Sequence, residues 1–160
     1  MMKSSLDRTH LTAISRTDLS APMRKLKDKG MLLGRVLDYG CGRGQDAHRL
    51  GIDRYDPHFF PTPPEGPYDV VTCNYVLNVI EDPKGRADVI DRINSLLAPD
   101  GVAYLTVRRD VREDTATSRG TWQSGNIVVE EGQSIWRNGK FETYAMKKRK
   151  RPLTSGAKHG

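Results

Sequence analysis

The sequence predicts an α/β fold, in which a Rossmann-like, doubly wound and mostly parallel sheet ends in an antiparallel hairpin. Strand-like and helix-like segments alternate over residues 35–107 of the 160-residue chain. A glycine-rich turn over residues 40–44 joins the first of these strands to the first helix. Two later strand-like segments flank Asn138-Gly139, a dipeptide typical of tight hairpin turns.

The first half of the sheet is predicted from short apolar segments that stop at glycine or proline. Residues 35–39 form the first strand, residues 45–50 have helical composition, and residues 52–56 form a second strand that stops at Pro57. Five of the nine prolines fall within residues 57–67, which excludes a helix or a central strand there. We therefore expect an irregular loop.

The second half begins with the best strand pattern in the chain. Residues 68–77 form a nearly continuous apolar, β-branched run, typical of a strand covered on both faces in a parallel sheet. Asp82-Pro83 is a cap followed by proline at the first helical position, and apolar residues then recur at helical spacing up to Pro99. Residues 102–107 form the next strand.

Short strand-like segments close the sheet. They are residues 127–129, 134–136 and 141–146, and Asn138-Gly139 predicts a two-residue type I′ turn between the last two. An antiparallel hairpin at the sheet edge is therefore expected.

The chain divides into three predicted parts. Residues 1–34 form an N-terminal arm with a short helix over residues 21–27, which Ser20 is expected to cap. Residues 35–146 form the domain, and residues 147–160 form a basic, disordered tail.

Composition and charge exclude several classes of protein. No run of about 18 apolar residues and no secretory signal occur, so we expect a soluble, cytoplasmic protein without membrane contact. Two cysteines are too few for a disulfide framework or a structural zinc site, and no metal site is predicted. The formal net charge is +6, and the tail alone holds six basic residues and no acidic one.

The glycine turn indicates a nucleotide-like cofactor, since glycines let the backbone approach a ligand. Gly40, Gly42 and Gly44 give the spacing G-x-G-x-G, whereas the dinucleotide fingerprint needs glycine one residue later. Asp38 would repel a pyrophosphate but attract a sulfonium and an ammonium group, which favours S-adenosyl-L-methionine over NAD. Asp56 follows the second strand, where a carboxylate can accept bonds from ribose hydroxyls of either cofactor. The alternative is that both acids only cap a helix and a turn.

Four segments of the chain carry a family resemblance. VLDYGCGRGQD, YDP, YDVVTCNYVLNVIEDP and LLAPDGVAYLTV resemble the successive motifs of class I S-adenosylmethionine-dependent methyltransferases. HLTAISRTDLSAPMRKL and YVLNVIED are most similar to the methyltransferases associated with DNA phosphorothioation and their short bacterial and phage relatives. The resemblance implies the methyltransferase fold, here reduced between its second and fourth strands, and methyl transfer as the activity.

The resemblance also implies roles for single residues. Asp38 would order the glycine turn and approach the methionine ammonium, Asp56 would bind the ribose, and Asn74 and Tyr75 would face the transferred methyl as the catalytic residues. The implied cofactor-binding set is Asp38, Tyr39, Gly40, Gly42, Gly44, Asp56, Pro57 and Asn74. Because residues 57–67 leave no room for a third strand, the acid that often reads the adenine amino group has no counterpart, and modest cofactor affinity is expected.

The methyl acceptor is not identified by any motif. The prolines that follow the catalytic residue in amino-methylating DNA enzymes are missing after Asn74, and Cys73 lacks the preceding proline of cytosine-carbon methylation. Candidate substrate contacts are Asn74, Tyr75, Asn78, Arg108, Arg109, Trp122 and Gln123, with His10 as a further candidate from the arm. Nucleic acid is a candidate partner through the basic tail residues Lys147, Lys148, Arg149, Lys150 and Arg151.

Two other functions stay open from the sequence. A cofactor-binding partner or sensor module without catalysis would tolerate the missing substrate motifs and the reduced sheet. The second is that of a nicotinamide-dependent oxidoreductase.

Overall fold

The computed structural model describes residues 18–111, 113–116 and 122–150. Within this part the helices are α1 (Ala21–Asp28), α2 (Gln45–Leu50) and α3 (Pro83–Leu96). The strands are β1 (Val36–Tyr39), β2 (Asp53–Tyr55), β3 (Tyr68–Asn74), β4 (Leu97–Arg108), β5 (Thr115–Ala116), β6 (Trp122–Gln123), β7 (Gln133–Arg137) and β8 (Phe141–Lys147). The predicted His10 and Arg151 lie outside the described residues.

The main sheet has six strands in the order β2-β1-β3-β4-β8-β7. Strands β1 to β4 are parallel, while β8 runs antiparallel to β4 and β7 antiparallel to β8. This confirms the predicted fold class. The proline-rich residues 57–67 contain no helix or strand, so β2 is the outer strand on that side.

Alternating side chains divide the sheet into two faces. Leu37 and Tyr39 of β1 belong to the core that α3 covers with Ile90 and Ile93. Val36 belongs to the opposite core, which α1 covers. Asp38 follows the same alternation and lies on the face of Val36. The two layers of helix make this a doubly wound sheet.

Helix α3 and strand β3 show where local patterns succeed and fail. The predicted cap of α3 is confirmed, because the Asp82 carboxylate accepts a bond from the backbone N–H of Lys84 at 3.0 Å. Strand β3 ends at Asn74, three residues earlier than predicted, because Tyr75 takes a left-handed backbone with φ of 63°. A 3-10 turn, Leu77–Val79, follows.

The helix predicted in the N-terminal arm is present and packs into the core. Met23 and Leu26 of α1 are fully buried in the core, so at least this helix is an integral part of the domain. Ser20 is the N-cap residue of the helix, but its side chain makes no capping hydrogen bond. Its N–H and hydroxyl donate instead to the two carboxylate oxygens of Asp46, at 2.9 and 2.6 Å, which ties α1 to α2.

The C-terminal hairpin forms without the predicted type I′ turn. Neither Asn138 nor Gly139 has the positive φ that such a turn requires. The Asn138 side chain accepts bonds from the N–H groups of Lys140 and Phe141, which moves the turn by one residue. Residues 127–129 form no strand, although Ile127 and Val129 are buried.

The start of the predicted tail is part of the fold. Strand β8 includes Lys147, and the N–H of Lys148 donates to Gly101 at 3.0 Å. The side chain of Asn94, near the end of α3, accepts a hydrogen bond from the Arg149 N–H at 2.8 Å and donates one to the Arg149 carbonyl at 3.1 Å. The boundary at residue 147 is therefore corrected. In the part of the chain described here, no helix is long and apolar enough to cross a membrane.

Candidate functional site

The carboxyl ends of β1, β2 and β3 meet at one edge of the sheet because these strands are parallel. The glycine turn is fixed to the end of β2, since the N–H groups of Gly40 and Cys41 both donate to the carbonyl of Tyr55, at 2.7 and 3.0 Å. The N–H of Tyr75 donates to Thr106 at 2.9 Å, which fixes the chain after β3. Most of the predicted site is thus gathered at this edge.

Asp38 is a buried carboxylate, with only 5% of the residue exposed. It accepts a hydrogen bond from the Thr72 hydroxyl at 2.8 Å, and it forms no ion pair with any residue that the structure describes. Burial raises the pKa of Asp38 from 3.8 to about 7, the bond from Thr72 opposes this rise, and the charge of Asp46 adds to it. The site therefore holds an acidic group that lacks a cation.

The three glycines of the turn all have positive φ, but for different reasons. A side chain on Gly40 would collide with Val76, and one on Gly44 would collide with Phe60, so packing within the protein requires glycine there. A Cβ on Gly42 would meet nothing within 4 Å. Of the three, Gly42 is the one beside which a ligand has room.

Asp56 binds the glycine turn and the following loop together. Its Oδ2 accepts a bond from the N–H of Gly42 at 2.9 Å, and its Oδ1 accepts bonds from His58 and Phe59 at 2.8 and 3.1 Å. Asp56 therefore does cap a turn, as the alternative interpretation of this residue expects. A carboxylate has about four acceptor positions, so a fourth bond remains available to a ligand hydroxyl. Pro57, the next predicted residue, is exposed.

The Tyr39 side chain lies away from the glycine turn. It packs on the opposite face of β1 against Tyr55, with 4.9 Å between the ring centroids. The Tyr39 side chain is therefore part of the core. It does not make the cofactor contact that the sequence predicts for this residue. The alternation of side chains along a strand accounts for this, because its neighbour Asp38 occupies the other face.

The two predicted catalytic residues have unusual environments. Asn74 has a buried side-chain amide whose oxygen and nitrogen have no hydrogen-bond partner among the described residues. Tyr75 carries the left-handed backbone noted above, a strained conformation for a residue other than glycine. Burial raises the pKa of Tyr75, and the charge of Asp110 adds to this while Arg108 opposes it. Unsatisfied amides and strained backbone are both typical of functional sites.

The two predicted substrate arginines are engaged within the protein. The Arg109 side chain, 6% exposed, pairs with Glu142 at 2.7 Å and also donates to the Ile127 carbonyl and the Tyr144 hydroxyl. It holds the chain around Ile127 against β8, which corrects its predicted role as a substrate contact. Arg108 is more exposed and forms a two-bond ion pair with Asp110, at 2.8 and 2.9 Å.

The remaining predicted substrate residues, Trp122 and Gln123, form strand β6 of a short ribbon that lies on the 3-10 turn. The Asn78 side chain donates to Gln123 Oε1 at 2.9 Å, and its carbonyl accepts the Ser124 N–H at 2.6 Å. The Trp122 indole donates to the Ser124 hydroxyl at 2.6 Å. The structure thus places the ribbon against the 3-10 turn, which begins two residues after Tyr75 and follows the end of β3.

Thr72 is the site residue that the sequence analysis missed. It lies opposite Asp38 in the pairing of β1 with β3 and supplies the hydroxyl that holds the carboxylate. The sequence does show a polar residue between the apolar residues Val71 and Cys73. Only the register of the two strands assigns it to Asp38.

These features together test whether S-adenosylmethionine fits the site. The edge presents a buried carboxylate without a cation, a buried amide without a partner and open space over Gly42. A ligand with an ammonium group, a sulfonium and several polar groups would supply what each of them lacks. The residues present therefore fit the predicted cofactor.

The comparisons with known proteins agree with this. The sequence matches a family described as a methyltransferase domain over residues 13–138. No curated protein matches the chain.

Several solved structures share the fold. A 1,6-didemethyltoxoflavin-N1-methyltransferase from Burkholderia thailandensis, bound to 1,6-didemethyltoxoflavin and S-adenosylhomocysteine, is 16% identical with a TM-score of 0.61, covering 88% of this chain and 82% of that one. The N-methyltransferase NodS from Bradyrhizobium japonicum, in complex with S-adenosylhomocysteine, is 15% identical with a TM-score of 0.53, covering 92% and 90%. A TehB-like methyltransferase from Corynebacterium glutamicum is 15% identical with a TM-score of 0.54, covering 90% and 96%.

The family match spans well over half of the chain, and the fold and the site agree with it. The chain therefore belongs to the methyltransferase-domain family and is a class I S-adenosylmethionine-dependent methyltransferase.

Proposed function

We propose that the protein transfers a methyl group from S-adenosylmethionine to a nitrogen of a small-molecule acceptor at the carboxyl ends of β1 and β3. The observation that carries the proposal is a pair of buried groups at this edge: the Asp38 carboxylate, which has no cation, and the Asn74 amide, which has no hydrogen-bond partner among the described residues. A protein keeps such groups at a cost of folding free energy, so a function that uses them is expected.

The cofactor supplies an electrophilic methyl group on a sulfonium. On this proposal Asp38 binds the ammonium, Gly42 provides the space for the amino-acid part, and Asp56 accepts one ribose hydroxyl with its remaining acceptor position. Asn74 supplies an amide to hold the reacting groups in line. Methyl transfer from a sulfonium depends mainly on such alignment.

The acceptor is argued from the groups that surround Tyr75. Its raised pKa keeps the phenol protonated at neutral pH, so Tyr75 donates or accepts a hydrogen bond but is a poor general base. An acceptor that needs no base before attack is a nitrogen whose lone pair is free at neutral pH, such as a ring nitrogen. The solved N-methyltransferases named above support this class of acceptor.

The basic tail bears on the choice between a small molecule and nucleic acid. Its first residues lie at the amino end of β4, where Lys147 pairs with Val102, whereas the site lies at the carboxyl end. Arg108 lies six residue steps along β4 from Val102, or about 20 Å. This distance favours an acceptor that does not need the tail. The likeness to phosphorothioation-associated enzymes stays a prediction from the quoted motifs.

The test is incubation with methyl-labelled S-adenosylmethionine and separate small-metabolite, protein, RNA and DNA fractions. We expect label in the small-metabolite fraction, and loss of that label in the Asp38→Asn variant. Label confined to RNA or DNA would replace the proposal with nucleic-acid methylation. Label in no fraction, from protein that binds S-adenosylhomocysteine, would favour the cofactor-binding module without catalysis.

A further inference from the structure

Arg108, the last residue of β4, lies on the same face of the sheet as the candidate site. Side chains alternate along a strand, so Arg108 shares a face with Thr106, two residues earlier. Thr106 pairs in register with Asn74 of β3, and paired residues of neighbouring strands point to the same face. Asn74 in turn shares its face with Thr72, whose hydroxyl holds Asp38. Arg108 therefore lies one row of side chains beyond the unpaired Asn74 amide, about 7 Å farther toward the carboxyl edge.

The Arg108 guanidinium forms an ion pair that a ligand can replace. Its Nε and Nη2 donate to the two carboxylate oxygens of Asp110 at 2.8 and 2.9 Å, which is the two-bond geometry in which arginine binds carboxylates in general. The two side chains are 37% and 44% exposed, and exposed ion pairs contribute little to stability. The neighbouring Arg109 differs, because its ion pair with Glu142 is buried. Arg108 can thus exchange Asp110 for another anion, whereas Arg109 cannot exchange Glu142.

Positive charge exceeds negative charge around this ion pair. The hydrogen bond from Arg108 lowers the pKa of Asp110, and the charge of Lys140 adds to this effect. The N–H of Arg109 donates to the Lys140 carbonyl at 2.7 Å, which holds the backbone of Lys140 beside the end of β4. The charges of Asp110 and Arg108 also act on the Tyr75 hydroxyl. Two cationic side chains therefore share one carboxylate beside Tyr75, and a further anionic group would be attracted there.

From this arrangement we propose that Arg108 binds an anionic group of the methyl acceptor, a carboxylate or a phosphate, and that Asp110 occupies the guanidinium when the acceptor is absent. The inference rests on the proposed function and deepens it, because it assigns a charge to the acceptor. The anionic group lies beside Tyr75, which leaves the acceptor nitrogen on the face that carries Asn74. Since that nitrogen is neutral at neutral pH, the acceptor as a whole is an anion.

The experiment divides the small-metabolite fraction on an anion exchanger at neutral pH and incubates each part with methyl-labelled S-adenosylmethionine and the full chain. We expect labelling of the retained part. Labelling of the unretained part alone would overturn the inference and leave the proposed function intact, whereas labelling of neither part would contradict the proposed function itself. Treatment of the retained part with alkaline phosphatase should abolish labelling if the anionic group is a phosphate monoester and leave it unchanged if the group is a carboxylate.

Arg108→Gln tests the assigned residue. The amount of the retained part needed for half-maximal labelling should rise by about 10- to 150-fold, because a charge-assisted hydrogen bond is lost, and an unchanged amount would overturn the inference. The dissociation constant for S-adenosylhomocysteine should change by less than about threefold. A weakening of about tenfold or more would mean that Arg108 binds the cofactor carboxylate, which would also overturn the inference. Arg137→Gln is the matched control and should change neither quantity, since Arg137 is an exposed arginine that lies 3.7 Å from Glu142 on the same sheet.

Asp110→Asn tests the exchange of anions on Arg108. The substitution removes the competing carboxylate charge, so half-maximal labelling should need about 1.5- to 5-fold less of the retained part, the range for loss of an exposed ion pair. An equal or larger amount would overturn the role assigned to Asp110.

Discussion

Two buried carboxylates on different halves of the sheet have opposite surroundings. Glu142 of β8 and Asp38 of β1 are 6% and 5% exposed. Glu142 is paired with Arg109 at 2.7 Å and lies 3.7 Å from Arg137. Burial alone would raise its pKa, but hydrogen bonds from Ser134 and Arg109 and the arginine charges outweigh burial and lower it. Asp38 has the Thr72 hydroxyl and no cation, and its pKa is raised to about 7.

The difference separates a carboxylate that is paired within the protein from one that the proposed function assigns to the cofactor. Glu142 adds stability above its unfolded pKa, and this is lost as the pH falls. Asp38 binds a proton more tightly in the folded state, so its effect on stability becomes less favourable as the pH rises from about 4 to 7. On the proposed function, the carboxylate that lacks a cation is the one that binds the cofactor.

The largest effect is expected on the paired side. Glu142→Ala leaves the buried Arg109 guanidinium without its counter-ion, which should lower the free energy of unfolding by about 3 to 5 kcal/mol. Urea denaturation measures this directly. Under conditions where the variant stays folded, its affinity for S-adenosylhomocysteine should be unchanged. A decrease in the free energy of unfolding of less than about 1 kcal/mol would mean that the Glu142–Arg109 ion pair does not stabilise the fold as described.

On the unpaired side, Asp38→Asn keeps an oxygen that accepts the Thr72 bond but removes the charge. The affinity for S-adenosylhomocysteine should fall by about 10- to 150-fold, the value of a charge-assisted hydrogen bond. The free energy of unfolding at pH 8 should stay the same or rise, because a desolvated charge has been removed. A lower free energy of unfolding together with unchanged affinity for S-adenosylhomocysteine would show that the Asp38 charge is structural, which would contradict the comparison.

Two asparagines repeat the comparison with neutral groups. Asn94 is 3% exposed and its amide is paired with the Arg149 backbone, whereas the Asn74 amide has no partner among the described residues. Asn94→Ala should cost about 1 to 2 kcal/mol in stability and leave cofactor affinity unchanged. Asn74→Ala should cost little or no stability and weaken cofactor binding. Thermal unfolding and calorimetry on the two variants check both expectations.

The smallest effect comes from two glycines that differ only in position. Gly42 and Gly51 have φ of 58° and 67°, and at both a Cβ would meet nothing within 4 Å. Alanine at either position should cost about 1 kcal/mol of stability through backbone strain. Only Gly42→Ala should also weaken S-adenosylhomocysteine binding, because its methyl group enters the space assigned to the ligand. Equal affinities in the two variants would contradict that assignment.

Much of this organisation follows from local sequence. The apolar run of β3 and the Asp82 cap of α3 depend on neighbouring residues, so they could be predicted. The gathering of Asp38 and Asp56 at one edge follows from the parallel strands that precede them.

Two of the failures share one cause, which is a partner far away in the sequence. Arg109 was expected at the substrate because nothing near it shows Glu142, which lies 33 residues later. Ser20 has the residue type of a cap, but Asp46 competes for its hydroxyl. The Asn138 turn takes another form because the Asn138 side chain, rather than a left-handed backbone, satisfies the N–H groups.

The central claim is that Asp38 has no cation as a partner until the cofactor binds. The most direct test is to count the protons that Asp38 releases when the ligand binds. Among neighbouring acidic groups, burial keeps the pKa values of Cys41 and Cys73 far above 7, so these thiols do not titrate nearby. Calorimetric titration with S-adenosylhomocysteine near pH 6, in buffers of different ionisation enthalpy, counts the protons released. We predict release of most of one proton, affinity that rises with pH and levels off above about 7, and loss of both effects in Asp38→Asn. Binding at pH 6 with no proton release, or the same release from the variant, would contradict the account.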